Sequence, residues 1–166
     1  ADRATLRWAA SDFAFYVVLR HRATLPTFSI VYGKWTEASY YPGFLLWANY
    51  PYGPMESGPA RTTYVARLDT LRTVFSDGGM NDDVMRLVAA RRVGDRFDFS
   101  VAGQLAGTIP DAFSDAGGFD AAAFDAIGRS AFLGGRPDGY QMFEGDIAEV
   151  VGCKGSLSDD EHAALQ

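Results

Sequence analysis

Phe143-Glu144-Gly145-Asp146-Ile147-Ala148-Glu149-Val150-Val151-Gly152 reads as a β-strand near the end of a 166-residue chain. Side chains alternate across an extended backbone, so Phe143, Gly145, Ile147 and Glu149 are expected on one face. Gly145 leaves room for a neighbouring chain or ring to approach closely. Leu157-Ser158-Asp159-Asp160-Glu161 follows. Ser158 with Glu161 three positions on has capping-box spacing, and the acidic first turn suits the helix dipole. A short helix running to Leu165 is expected. It would keep the last strand from ending as a bare sheet edge.

Upstream the same style repeats. Residues 126–133 read as a strand stopped by Gly134-Gly135. Residues 111–125 are rich in Ala, Gly, Asp and Phe and read as a loop, with one helical turn near 121–124. Residues 84–92 and 97–101 form the clearest hairpin, joined by Val93-Gly94-Asp95-Arg96. A second turn at Ala102-Gly103 leads into residues 104–109. Residues 62–68 alternate as a half-exposed strand, and residues 71–75 are short and apolar. Residues 51–59 hold three Pro and two Gly and form a long loop. Residues 43–50 and 28–32 alternate as strands. Residues 13–19 are apolar on both faces, as a central strand covered on both sides must be. Residues 5–8 could add a first short strand, and Arg20-His21-Arg22 closes the second, leaving His21 a solvated loop residue.

Nine or ten strands with almost no helix predict an all-β fold, a two-sheet antiparallel sandwich in one domain. The length supports one sizeable core without disulfides. Hydrophobic content of 48% and charged content of 22% exclude disorder and coiled coil. No apolar run approaches the ~20 residues needed to cross a bilayer, so membrane insertion is not expected. Twenty-one acidic against fifteen basic residues give a net charge of −6, which disfavours nucleic acid. A lone Cys153 cannot make an internal disulfide, and two histidines make a His-based zinc site improbable. The first residues lack the charged-then-apolar pattern of a signal peptide.

The C-terminal motifs resemble those of a laminin G-like domain, within the concanavalin A-like lectin and glucanase superfamily. The resemblance rests on Ala126-Ile127-Gly128, Leu133-Gly134-Gly135, the Phe-x-Gly-x-Ile-x-Glu strand at 143–149, and Leu157-Ser158-x-x-Glu161. The hairpin through Phe99-Ser100-Val101-Ala102-Gly103 is similar to that family's central hairpin, with Ala102 where Asn or Asp is commoner. The resemblance implies a jelly-roll sandwich.

Three groups of residues carry candidate chemistry. Glu144, Asp146 and Glu149 are similar to the glutamate-aspartate-glutamate strand of the superfamily's retaining glucanases in its bulged spacing. Retaining chemistry needs two carboxylates on one face, ~5 Å apart. In an unbulged strand Glu144 and Glu149 lie on opposite faces, and the acids would then pair with arginines or face solvent. Asp77, Asn81, Asp82 and Asp83 concentrate oxygen ligands in a turn-rich loop, where Ca²⁺ could be held. The competing reading is a solvated turn with Asx caps. Trp47, Tyr50 and Tyr52, with Trp35, Tyr40 and Tyr41 nearby, form the densest aromatic region. Sugars stack on such rings, and Arg136 and Tyr140 could share the rim. Alternatively Trp35 and Trp47 are core. Cys153 reads as a small, partly buried side chain rather than a nucleophile.

The expected role is non-catalytic recognition of a glycan or a protein surface, with calcium assistance if the acidic loop binds the ion. The location would be extracellular, on a cell surface or on a virion. The alternatives are a structural or decoration subunit of a larger assembly and a glycoside hydrolase using Glu144 and Glu149. This architecture hosts all three.

Overall fold

The computed structural model describes residues 8, 11–22, 29–35, 43–48, 64–69, 72–76, 83–114, 124–125, 130–136, 139, 142–155 and 157–166. Within them lie β1 (Phe13–His21), β2 (Ser29–Trp35), β3 (Gly43–Ala48), β4 (Val65–Arg67), β5 (Thr73–Phe75), β6 (Arg86–Val93), β7 (Arg96–Val101), β8 (Gln104–Ile109), β9 (Phe132–Leu133) and β10 (Gly145–Lys154). One helix, α1 (Asp159–Ala164), follows. The strands form two five-stranded antiparallel sheets, ordered β10-β1-β6-β7-β8 and β5-β4-β3-β2-β9. The all-β sandwich expected from the alternation is present. Of the strand expected over residues 5–8 only Trp8 is described, and it is buried but not in a strand; residues 5–7 and the Pro-rich loop at 51–59 lie outside the described residues.

The core fills the space between the sheets because period-2 alternation points one face of each strand inward. Phe13, Phe15, Val17 and Leu19 of β1 meet Tyr32, Phe44 and Leu46 of the second sheet. Their rings interlock: Phe15 lies 4.5 Å from Tyr32 and 5.3 Å from Phe44, the latter edge-on. Such contacts add to area burial and fix side-chain order.

Strand β1 is central, between β10 and β6, and its outer face is apolar too. Ala14 and Tyr16 pack there with Ala89, Leu87, Val151 and Leu157. Leu157 precedes α1, so the C-terminal segment partly covers this face. Ser158 caps the helix as expected. Its hydroxyl accepts from Glu161 N, and the Glu161 carboxylate accepts from Ser158 N at 2.8 Å.

Two turns follow the predicted chemistry. Gly94 has φ +59 and opens the β6–β7 turn, whose primed geometry matches strand twist. Ala102 and Gly103 both take positive φ, +52 and +76. Ala102 therefore carries a Cβ at a position suited to Gly, Asn or Asp.

Three expectations need correction. His21 is not a solvated loop residue. It ends β1 and is only 2% exposed, because alternation from Leu19 turns it inward against Phe143, 5.6 Å away. The strand expected over 126–133 is confined, among described residues, to Phe132–Leu133; residues 126–129 lie outside them. Glu149 does not share a face with Ile147. Val18 pairs with Glu149 and Leu19 with Ile147, so Ala148 is a bulge that reverses the alternation. Gly145 behaves as expected: a Cβ there would sit 2.0 Å from the Arg20 carbonyl oxygen.

Candidate functional site

The outer face of the second sheet gathers the aromatic residues. Strand pairing sets Phe132, Gly33, Leu45, Arg67 and Thr73 in one row across all five strands. The next row contains Ile30, Trp47, Val65 and Phe75. Ile30, Leu45 and Trp47 are buried, with Trp35, Phe75 and Phe132 half-buried against them. Trp35 folds back over Gly33 and meets Phe132 edge-on at 4.8 Å. A Cβ on Gly33 would lie 2.6 Å from the Trp35 ring and 2.8 Å from Phe132, so only glycine leaves room for the pair.

Two guanidinium groups lie over this surface. Arg136 is 5.9 Å from the Trp35 ring centre, and Arg67 is 5.2 Å from that of Trp47. A cation over an indole face is held by the ring quadrupole while its N–H groups remain directed in the guanidinium plane. The arrangement supplies apolar faces, suited to sugar C–H groups, beside donors suited to a carboxylate.

The sequence-predicted aromatic site is thus partly assembled. Arg136 does reach the aromatic region, through β9 and Trp35. Trp47 is 5% exposed and forms the floor rather than an open stacking platform. Its alternation with Leu45, both packing on the outer side of β3, buries it beneath its neighbours. Tyr50, Tyr52 and Tyr140 lie outside the described residues. Arg67, Phe75 and Phe132 were not singled out from sequence. The alternation of Thr63, Val65 and Arg67 was the available signal for Arg67.

The acidic groups are placed differently. Asp77, Asn81 and Asp82 lie outside the described residues. Asp83 is exposed and pairs with Arg20 at 3.4 Å. Among the described residues, no group of three or more His, Cys, Asp or Glu side chains is clustered to hold a metal. On β10, Asp146 accepts from Arg20 Nε at 2.9 Å and lies 3.5 Å from Arg22. The Arg20 bond holds the Asp146 carboxyl below its ordinary range. The Ala148 bulge puts Glu149 on the outer side of the first sheet, the side of Asp146. Glu144 is half-buried, and its carbonyl accepts from Arg22 N at 3.1 Å. Burial of His21 lowers its imidazole pKa, partly opposed by the Glu144 charge. Cys153 is a free, half-buried thiol, as expected.

No family model matches the chain, and no curated protein matches it. Solved structures do. The CBM40 of the Ruminococcus gnavus IT-sialidase bound to α2,3 sialyllactose superposes with a TM-score of 0.60 at 18% identity, over 93% of this chain and 82% of that one. The same module bound to α2,6 sialyllactose gives the same values. The fold is that of these sandwich modules. The enzymatically active domain of bacteriophage CBA120 tailspike protein 2 is also similar, with a TM-score of 0.56 at 13% identity, over 92% of this chain but 23% of that one.

Proposed function

We propose that the chain is a non-catalytic glycan-recognition module whose binding surface is the outer face of the second sheet. The observation that carries this reading is the half-buried Trp35–Phe132 pair with Arg136 above it and Arg67 beside it over Trp47. Aromatic rings that desolvate a sugar face, flanked by directional donors, are the usual make-up of a carbohydrate site. The similar CBM40 structures hold α2,3 and α2,6 sialyllactose. Sialic acid carries a carboxylate, which a guanidinium fork pairs in two directions. Sialylated glycans are therefore the ligand class this reading favours. The same reading proposes that the module acts outside the cell, on a cell surface or on a virion, and that it belongs to the concanavalin A-like superfamily its C-terminal motifs resemble.

The test is calorimetric titration with α2,3 sialyllactose, α2,6 sialyllactose and lactose. Binding of the sialylated sugars, lost in Arg136→Ala and Trp35→Ala variants that still melt cooperatively, supports the reading. No binding of any of them, and none across a wider glycan array, removes it. Repeating the titration after chelation and with added Ca²⁺ tests calcium assistance through the 77–83 loop.

The likeness to the tailspike domain supports a second reading, a subunit of a virion-type assembly. The Ala148 bulge gives the glucanase alternative a foothold, since it cancels the odd spacing of Glu144 and Glu149. Yet the acid between them is already held by two arginines, as a structural strand would hold it. Polysaccharide hydrolysis abolished by Glu144→Gln would establish the enzyme instead.

A further inference from the structure

We infer a second ligand site on the opposite sheet, for a small aryl- or alkyl-ammonium ion. It lies on the outer face of the first sheet, on three strands and beside the end of α1. Glu149, Val18 and Leu87 form one row across β10, β1 and β6, and Val151 and Tyr16 belong to the next. With Leu165 they line a cleft of about 140 Å³. Apolar cavities of about 150 Å³ take a benzene ring. The cleft is therefore the size of one six-membered ring.

Its walls are apolar apart from the Glu149 carboxylate and Tyr16, whose hydroxyl is engaged with His162. Glu149 is the single charged lining residue, and it is exposed. Among the described residues no hydrogen bond or ion pair reaches its carboxylate. The nearby cations are engaged elsewhere: Arg20 and Arg22 with Asp146, and Arg91 with Asp98 and Asp159. A carboxylate beside low-dielectric walls attracts a cation more strongly than it would in bulk water. A ring fills the apolar volume and displaces water from Val18, Leu87 and Val151. An ammonium group one or two carbons from that ring then reaches Glu149. The ligand class follows from this pairing of shape and charge. It is unrelated to the glycan reading, which concerns the other sheet.

The test follows amide shifts of the full chain by NMR during titration with 2-phenylethylammonium, and with 2-phenylethanol as its uncharged counterpart. Saturable shifts at Val18, Glu149, Val151 and Leu165 are expected for the ammonium. The alcohol should bind about tenfold more weakly, the worth of one charge-assisted bond. Glu149→Gln should bring the ammonium down to the alcohol's affinity without changing the melting temperature. Leu165→Ala, which removes an exposed wall, should weaken both. Equal affinity for ammonium and alcohol, unchanged ammonium affinity in Glu149→Gln, or no shift around the cleft would each overturn the proposal. Glycan titration of Glu149→Gln should match the parent protein, so failure of either site is read separately.

Discussion

Tyr16 Oη and His162 Nδ1 lie 2.6 Å apart, joining β1, an interior strand of the first sheet, to the terminal helix across 146 positions of sequence. Gln166 extends the link, donating to Ser100 Oγ at 2.7 Å and meeting His162 Nε2 at 2.8 Å. With Gln166 donating to Nε2, the neutral ring carries its hydrogen on Nδ1 and gives it to Tyr16. Protonation would set a second N–H against the Gln166 amide. Burial holds the His162 pKa below its ordinary value and Arg91 adds to the effect, while Asp98 and Asp159 oppose it.

The sign follows from linkage. The unfolded chain takes up the proton first, so stability is complete above the ordinary histidine pKa and declines as pH falls below it. Melting temperature should drop between pH 7 and pH 5. His162→Gln should show a shallower decline, with the deeper His21 supplying what remains. Identical slopes in the two proteins would show that the contact does not discriminate between charge states.

Arg91 is almost wholly buried between a buried and an exposed acid, Asp98 and Asp159. Asp98 also accepts from Arg96 Nε at 3.0 Å and Thr108 Oγ1 at 2.9 Å. Removing it leaves a buried guanidinium short of its counter-charge. Asp98→Ala should cost about 3 kcal/mol by denaturant melt. Asp159→Ala, at a side chain 86% exposed, should barely move the midpoint, because water replaces it. Similar losses in both variants would contradict the burial argument.

The Ala102 backbone supplies a stabilising change. Its φ of +52 is costly for alanine and easy for asparagine or glycine. Ala102→Asn should raise stability by about 1 kcal/mol, since the turn is exposed and nothing packs on the new side chain. A neutral or negative effect would mean that the turn relaxes in solution to another type.

Gly33 controls the proposed glycan surface without touching ligand. Gly33→Ala pushes a methyl group into Trp35 and Phe132. Overpacking of this kind costs about 2 kcal/mol when rings must shift. Indole fluorescence should change, and affinity for a bound sialyllactose should fall while the protein still melts cooperatively. Unchanged affinity would place the sugar away from Trp35.

The legible parts of the sequence were those governed by local rules. Alternation gave β1 and the β6–β7 hairpin, Gly94 gave its turn, and Ser158 with Glu161 gave the capped helix. His21 was misread because its arginine neighbours suggested solvent, although parity from Leu19 already pointed inward. The Ala148 bulge agrees with the bulged spacing of Glu144, Asp146 and Glu149, but alternation alone does not choose it over a regular strand, so the side on which Glu149 lies stayed open. Trp35 and Arg136 are 101 positions apart, and β9 pairing with β2 brings them together. Local patterning carries no record of that non-local pairing.

The partnership of β1 with β10 also has a consequence for biosynthesis. A ribosome delivers Phe13 to His21 well before one of their two lateral neighbours, residues 145–154. Until that ribbon emerges, a sticky margin of nascent polypeptide stays open to chance association. Productive collapse of this sheet must wait until residues 145–154 have been translated, and products that stop before them should be prone to aggregate or to need chaperone help.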